Sequence, residues 1–117
     1  MKVIGDLAES SAMGILRRMV GPEVTIRQAS ESEDAECKYD LVMEGSTSRR
    51  GIQVKNSYRA LMSKVESYEG YLSVLSVHRT VLCILDDSGE KLIEVVYSGP
   101  NPGLREVTEE TVGRWLS

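Results

Sequence analysis

The stretch "TVLCILD" at 80–86 constrains the fold more than any other part of the chain. It is apolar without a break, whereas a strand with one wet face alternates, so it reads as a strand covered on both faces. Such a strand belongs in the middle of a layered α/β domain, with helices packed on each side. The preceding segment agrees. Leu61, Val65, Tyr68, Leu72 and Leu75 keep a 4-3-4-3 spacing, which predicts an amphipathic helix that Ser57 can cap and that Gly70 weakens in its middle.

The remaining elements follow from the same rules. Residues 6–20 predict a helix with Asp6 as N-cap, an apolar side of Ala8, Ala12, Ile15, Leu16 and Met19, and a stop at "GP". "EVTIRQ" (23–28) alternates as a strand does, and "ASESEDAECK" (29–38) is acidic and aperiodic, hence a loop. "YDLVME" (39–44) and "GIQVKN" (51–56) are two short strands of a hairpin, and "KLIEVVYS" (91–98) is another strand, ended by "GPNPG". Thr108 caps a last short helix, with Glu109 and Glu110 in its first turn and Val107 able to staple to Val112. The expected order is α-β-β-β-α-β-β-α, one α/β domain over residues 1–117, a length that can bury a core without staples.

Composition narrows the function classes. Cys37 and Cys83 form no CxxC pair and His78 is the sole histidine, so a zinc site is not expected and a reducing, cytoplasmic setting is. Asp6 and Glu9 interrupt the N-terminal stretch where a signal peptide needs apolar residues. No run approaches the roughly 18 apolar residues of a membrane span. The net charge of −4 excludes a binder held to nucleic acid by bulk electrostatics. Its distribution is uneven, however. Residues 31–45 carry six acidic and one basic residue, and residues 46–80 carry six basic and two acidic ones. The second block is able to meet a phosphate backbone.

A hairpin turning at Ser46–Thr47 pairs 44 with 49 and 42 with 51, and so sets Asp40 opposite Gln53. Cross-strand partners share a face, and Lys55 lies on that face too, while Ile52 and Val54 point into the core. This is a chemically useful set. Phosphodiester hydrolysis needs a cation that neutralises phosphoryl charge and acidifies a water, and hard oxygen ligands hold Mg²⁺ for that purpose. A lysine beside them stabilises developing charge or orients the attacking water.

"YD" at 39–40, "QVK" at 53–55 and the helix opening "GDLAE" at 5–9 together resemble the PD-(D/E)xK nuclease superfamily, over residues 3 to about 86. The helix opening is similar to that of archaeal Holliday-junction resolvases, and "YDLV…GIQVK" is similar to the Gln-bearing branch among group I intron-associated endonucleases. The resemblance implies a restriction-endonuclease-like α-β-β-β-α-β core with a mixed central sheet, here extended by a C-terminal strand and short helix. It implies Asp40 as principal metal ligand, Gln53 as a neutral oxygen ligand, the Val54 carbonyl as a further ligand, Glu9 as an auxiliary acid and Lys55 as the catalytic lysine. Tyr39 stands where the pattern has Pro, and Gln53 removes one negative charge. The implied cofactor is Mg²⁺ or Mn²⁺, with no organic cofactor.

The implied activity is endodeoxyribonuclease action, with branched or structured DNA as a candidate substrate. Arg49, Arg50, Arg59 and Lys64 are the candidate phosphate contacts, although an exposed charge is the commoner role for each. A protomer this small offers little surface for reading DNA, which favours a homodimer. Two alternatives stay open: an inactive nuclease-fold module that binds nucleic acid or a protein partner, and a small α/β interaction module unrelated to nucleases.

Overall fold

The computed structural model describes residues 3–67, 71–96 and 103–117. Helix α1 (Val3–Arg17) buries the expected stripe of Ala8, Ala12, Ile15 and Leu16, with Met19 packed against it. It is described from Val3, so Asp6 stands inside the helix and not at its N-cap. After Gly21–Pro22 comes β1 (Thr25–Gln28), then β2 (Leu41–Glu44) and β3 (Arg49–Lys55). Helices α2 (Tyr58–Ser67) and α3 (Tyr71–Val77) lead to β4 (Thr80–Leu85), β5 (Leu92–Val96), β6 (Gly103–Glu106) and α4 (Glu109–Trp115).

All six strands join one sheet, in chain order. The β3–β4 pair is parallel and the other neighbours are antiparallel, so the sheet is mixed, as expected. A parallel pair needs a crossover, and α2 with α3 supplies it. The apolar run finds its explanation in β4. Val81 and Cys83 enter a core shared with α1 and α4, whereas Leu82 and Ile84 enter a second core under Leu61 and Leu75. Burying a side chain such as Leu16 or Leu61 contributes roughly 2 kcal/mol, so both sheet faces must be covered.

The two later caps form where the sequence places them. Ser57 Oγ accepts from the Ala60 N–H at 3.1 Å. Thr108 Oγ1 accepts from the Thr111 N–H at 3.3 Å, and Thr111 Oγ1 accepts from the Thr108 N–H at 3.1 Å. Val107 and Val112 are both buried in the first core.

The helix expected after Ser57 is described as α2 and α3; Tyr68 and Gly70 lie outside the described residues, as do the side chains of Val65 and Leu72. Two further expectations are revised. The acidic loop contains a π-helical turn at Glu33–Cys37, closed by Lys38 at φ 63°. Strand β6 was not expected, because "GLRE" neither alternates nor buries a side chain; it is an edge strand, held by its neighbour's ladder. Among the described residues, no helix is long and apolar enough to cross a membrane.

Candidate functional site

The β2–β3 hairpin closes through Gly45 N–H to the Ser48 carbonyl at 2.8 Å, with Glu44 paired to Arg49, Val42 to Gly51 and Leu41 to Ile52. Continued by one residue, that register sets Asp40 against Gln53. The backbone of Asp40 is fixed on both flanks: its N–H donates to the Ile52 carbonyl at 2.9 Å, and its carbonyl accepts from Ala29 at 2.8 Å. Its carboxylate Oδ2 accepts from Gln53 Nε2 at 2.8 Å and from the Val54 N–H at 3.0 Å. Both side chains are buried, Asp40 at 8% and Gln53 at 4% exposure. A carboxylate buried so deeply needs such donors, because its desolvation is otherwise costly.

Tyr39, the residue before Asp40, is buried against β3. A Cβ on Gly51 would stand 2.1 Å from Tyr39 Cδ1, so glycine is what lets the ring lie directly against β3. The phenol donates to Glu33 Oε2 at 3.4 Å. Burial, and next the neighbouring Cys37, push the Tyr39 hydroxyl up to about 12. Glu33 in turn accepts from Arg27 Nη1 and Nη2 at 2.7 and 3.0 Å and from the Ser30 N–H at 2.8 Å. The Arg27 bonds first, then the Ser30 N–H, hold its carboxyl down at about 2. The acidic segment is therefore a folded buttress beneath the Tyr39–Asp40 step.

Asp40 lines a cavity of about 330 Å³ together with Glu9, Gln28, Glu31 and Asp34. Glu9, on α1, is 7% exposed and not a solvated helix residue. The burial of Glu9 brings the first helix, the hairpin and the acidic segment to one place. Glu31 and Asp34 were missed by sequence reasoning, which took 29–38 as a loop. The available signal was the acidic run itself, directly ahead of Tyr39–Asp40. Glu44 has another partner, Arg27 at 3.0 Å.

Lys55 lies two residues beyond Gln53, at the C-terminal end of β3, and is half-buried. In a strand, a residue's N–H and carbonyl project to the same flank. The Val54 carbonyl therefore opens toward the side where Asp40 receives the Val54 N–H. Arg59, exposed in the first turn of α2, follows Lys55 closely. The backbone of Lys64 is in α2, and its side chain is outside the described residues. Arg49 and Arg50 do not flank this site. They start β3, and six residue steps along the strand carry Lys55 roughly 20 Å from Arg49. The basic block of the sequence thus divides between the two ends of one strand.

As a donor set, two carboxylates, an amide and a backbone carbonyl match what Mg²⁺ accepts, since it is usually held by one or two carboxylates with waters and substrate phosphate. Among the described residues, no three His, Cys, Asp or Glu side chains converge as a metal cluster.

The other end of β3 is built differently. Arg50 Nε and Nη2 donate to the Trp115 carbonyl at 3.1 and 2.9 Å, satisfying a helix-end acceptor of α4. Trp115 Nε1 donates to Glu94 Oε2 at 3.0 Å, and Arg105 Nη2 donates to Glu94 Oε1 at 2.7 Å. Glu94 is 8% exposed, an acid in the apolar strand "LIEVV". Cys83, buried beside it, has its thiol pushed well up by burial and then by Glu94, as suits an inert core residue. Compared with protein-family models and with curated proteins, the sequence matches none.

Proposed function

We propose that the protein is a metal-dependent endodeoxyribonuclease of the PD-(D/E)xK type, acting on branched or structured DNA, cytoplasmic and homodimeric. The observation that carries this reading is the Asp40 carboxylate held against Gln53 and Val54, with Glu9 of α1 on the same cavity. Asp40, Glu9, the Val54 carbonyl and the Gln53 amide oxygen would hold Mg²⁺ or Mn²⁺. When bound, the ion supplies charge neutralisation at the phosphoryl group and a more acidic water. Asp40 is positioned for this by bonds through both its backbone and its side chain, so it loses little entropy on engaging a ligand. Lys55, on the face of Gln53, places a positive charge where it can orient the attacking water or offset charge on the phosphate. Arg59 and Lys64 are the phosphate contacts consistent with this end of β3. Arg49 and Arg50 reach DNA only if it extends along the strand.

A second reading has its own observation. Gln53 presents its amide N–H, not its oxygen, to Asp40, and Glu31 and Asp34 add carboxylates to the cavity. An inactive nuclease-fold module that binds a basic segment of a protein partner suits that arrangement.

Cleavage of a labelled panel separates the two: four-way junction, flap, nicked duplex, plain duplex and single strand. Each is incubated with Mg²⁺ or Mn²⁺, beside Asp40→Asn and Lys55→Ala proteins prepared identically. Metal-dependent cutting of at least one substrate is expected, reduced about 10³-fold in either variant. Absence of cutting on every substrate by folded wild-type protein, or cutting by both variants at the wild-type rate, removes the nuclease reading.

A further inference from the structure

Two further cavities follow the Asp40 cavity along the edge of the sheet, between α1 and β1. The first, of about 430 Å³, is lined by Ser10, Met13, Arg17, Ile26, Arg27 and Gln28. The second, of about 400 Å³, is lined by Arg17, Val20, Val24 and Ile26 and by Gly21–Pro22. The three share walls in series. Gln28 belongs to the Asp40 cavity and to the first, and Arg17 and Ile26 belong to the first and to the second. Along α1 the order is Glu9, then Ser10 and Met13, then Arg17, while β1 runs the opposite way from Gln28 to Ile26. Ser10, Met13 and Arg17 stand at i, i+3 and i+7, one side of the helix. Lining residues matched in order along two neighbouring elements make one groove. From Glu9 to Arg17 it extends roughly 12 Å at the helical rise.

The groove has a polar rim of exposed Ser10, Arg17 and Gln28 over half-buried Met13 and buried Ile26. Arg17 Nη2 donates to the Ile26 carbonyl at 3.2 Å, which fixes the guanidinium where the two cavities meet. That bond uses one of its five donors. The Arg27 guanidinium is held by Glu33 and Glu44, so Arg17 is the cation of the groove able to take a ligand. Ile26 enters the core under α1, whereas Lys55 pairs with Ile84 of the other core. The groove therefore leaves the Asp40 cavity on the sheet face opposite Lys55. We propose that it carries one DNA strand away from the Asp40 site, with a backbone phosphate on Arg17 and a sugar or base against Met13 and Ile26. Ser10 and Gln28 offer neutral polar groups to the same backbone. The inference rests on the nuclease reading for its substrate and adds the phosphate contact on the α1 side.

Binding of a labelled four-way junction and a plain duplex to the full chain is read by fluorescence anisotropy at several KCl concentrations. The buffer holds Ca²⁺, a cation that oxygen ligands accept, and the DNA is checked to be intact afterwards. Each neutralised phosphate adds about 0.9 to the slope of log affinity against log salt. Arg17→Gln, whose amide can still donate to the Ile26 carbonyl, should weaken both DNA forms alike and lower that slope by about one. Arg17→Lys keeps the charge and should keep the slope. Arg18→Gln, at an exposed neighbour that lines neither cavity, should leave the slope unchanged. An unchanged slope in Arg17→Gln, an equal fall in Arg17→Lys or Arg18→Gln, or no DNA binding by folded wild type overturns the proposal. Cleavage in Mg²⁺ is scored separately. DNA bound through Arg17 but never cut keeps the groove and removes the nuclease; DNA cut while Arg17→Gln leaves the slope unmoved does the reverse.

Discussion

At the C-terminal end of β3, Asp40 is buried and bonded to Gln53 and Val54, neighbours within the same hairpin. At the N-terminal end, Arg50 and Glu94 are bonded to Trp115, which belongs to another element 65 residues on from Arg50. Both ends place polar groups in the interior, but they differ in what those bonds accomplish. The Arg50–Trp115–Glu94–Arg105 network fastens α4 to the sheet, so its loss should loosen the fold. The Asp40–Gln53 pair lies within one hairpin, beside a ladder that already joins its two strands. A cavity opens next to it, which is where the proposed chemistry would take place.

The comparison breaks most visibly in stability. Glu94→Ala leaves the Trp115 N–H without its acceptor and Arg105 without its partner, and is expected to cost about 3 kcal/mol in urea unfolding. Asp40→Asn keeps an oxygen for the Val54 N–H, and a rotated Gln53 amide can meet the new NH₂. Its cost should stay below about 1 kcal/mol. Equal losses in the two variants would mean that both ends are structural.

The Tyr39–Gly51 contact connects the Asp40 step to the body of β3. Gly51→Ala forces its new methyl into the Tyr39 ring and should cost about 2 kcal/mol. Combining it with Tyr39→Leu should recover part of that loss. A double-mutant cycle in urea that shows no coupling would dissociate the ring from the strand.

Gln53→Glu sharpens the reading of the Asp40 end. Two carboxylates then face one another, which raises the apparent pKa of the pair and should cost about 1 kcal/mol at pH 7. Because the folded pKa is raised, stability should recover as pH falls toward the ordinary carboxylate range. Mg²⁺ should restore the melting temperature at pH 7 in this variant. Failure of millimolar Mg²⁺ to do so would show that the cavity does not take a cation.

The smallest effect belongs to Glu33. Its carboxyl is held at about 2, below the ordinary 4.5, so its contribution is present above pH 4.5 and is lost as pH falls toward 2. Unfolding of wild type and Glu33→Gln compared across that window should differ at pH 6 and converge near pH 2. A constant difference would place the contribution in something other than the Arg27 ion pair.

Much of the fold was legible because local pattern carries it. The period-two alternation and the Ser46–Thr47 turn determined the hairpin register, and with it the pairing of Asp40 with Gln53. The unbroken apolar run from Thr80 determined a strand with cores on both faces. Ser57 and Thr108 marked their helix starts because a side-chain oxygen satisfies the first free N–H groups. Tertiary structure alone decided the burial of Glu9, the folding of the acidic segment onto Arg27, the arrival of Glu31 and Asp34 beside Asp40, and the division of the basic block between the two ends of β3. It also decided β6, whose pairing depends on its neighbour and not on its own residues. Periodicity records which face of an element is apolar, a property of residues a few positions apart. Which charged side chains meet is set by how the elements pack, and contacts across the chain leave no period in the sequence to read.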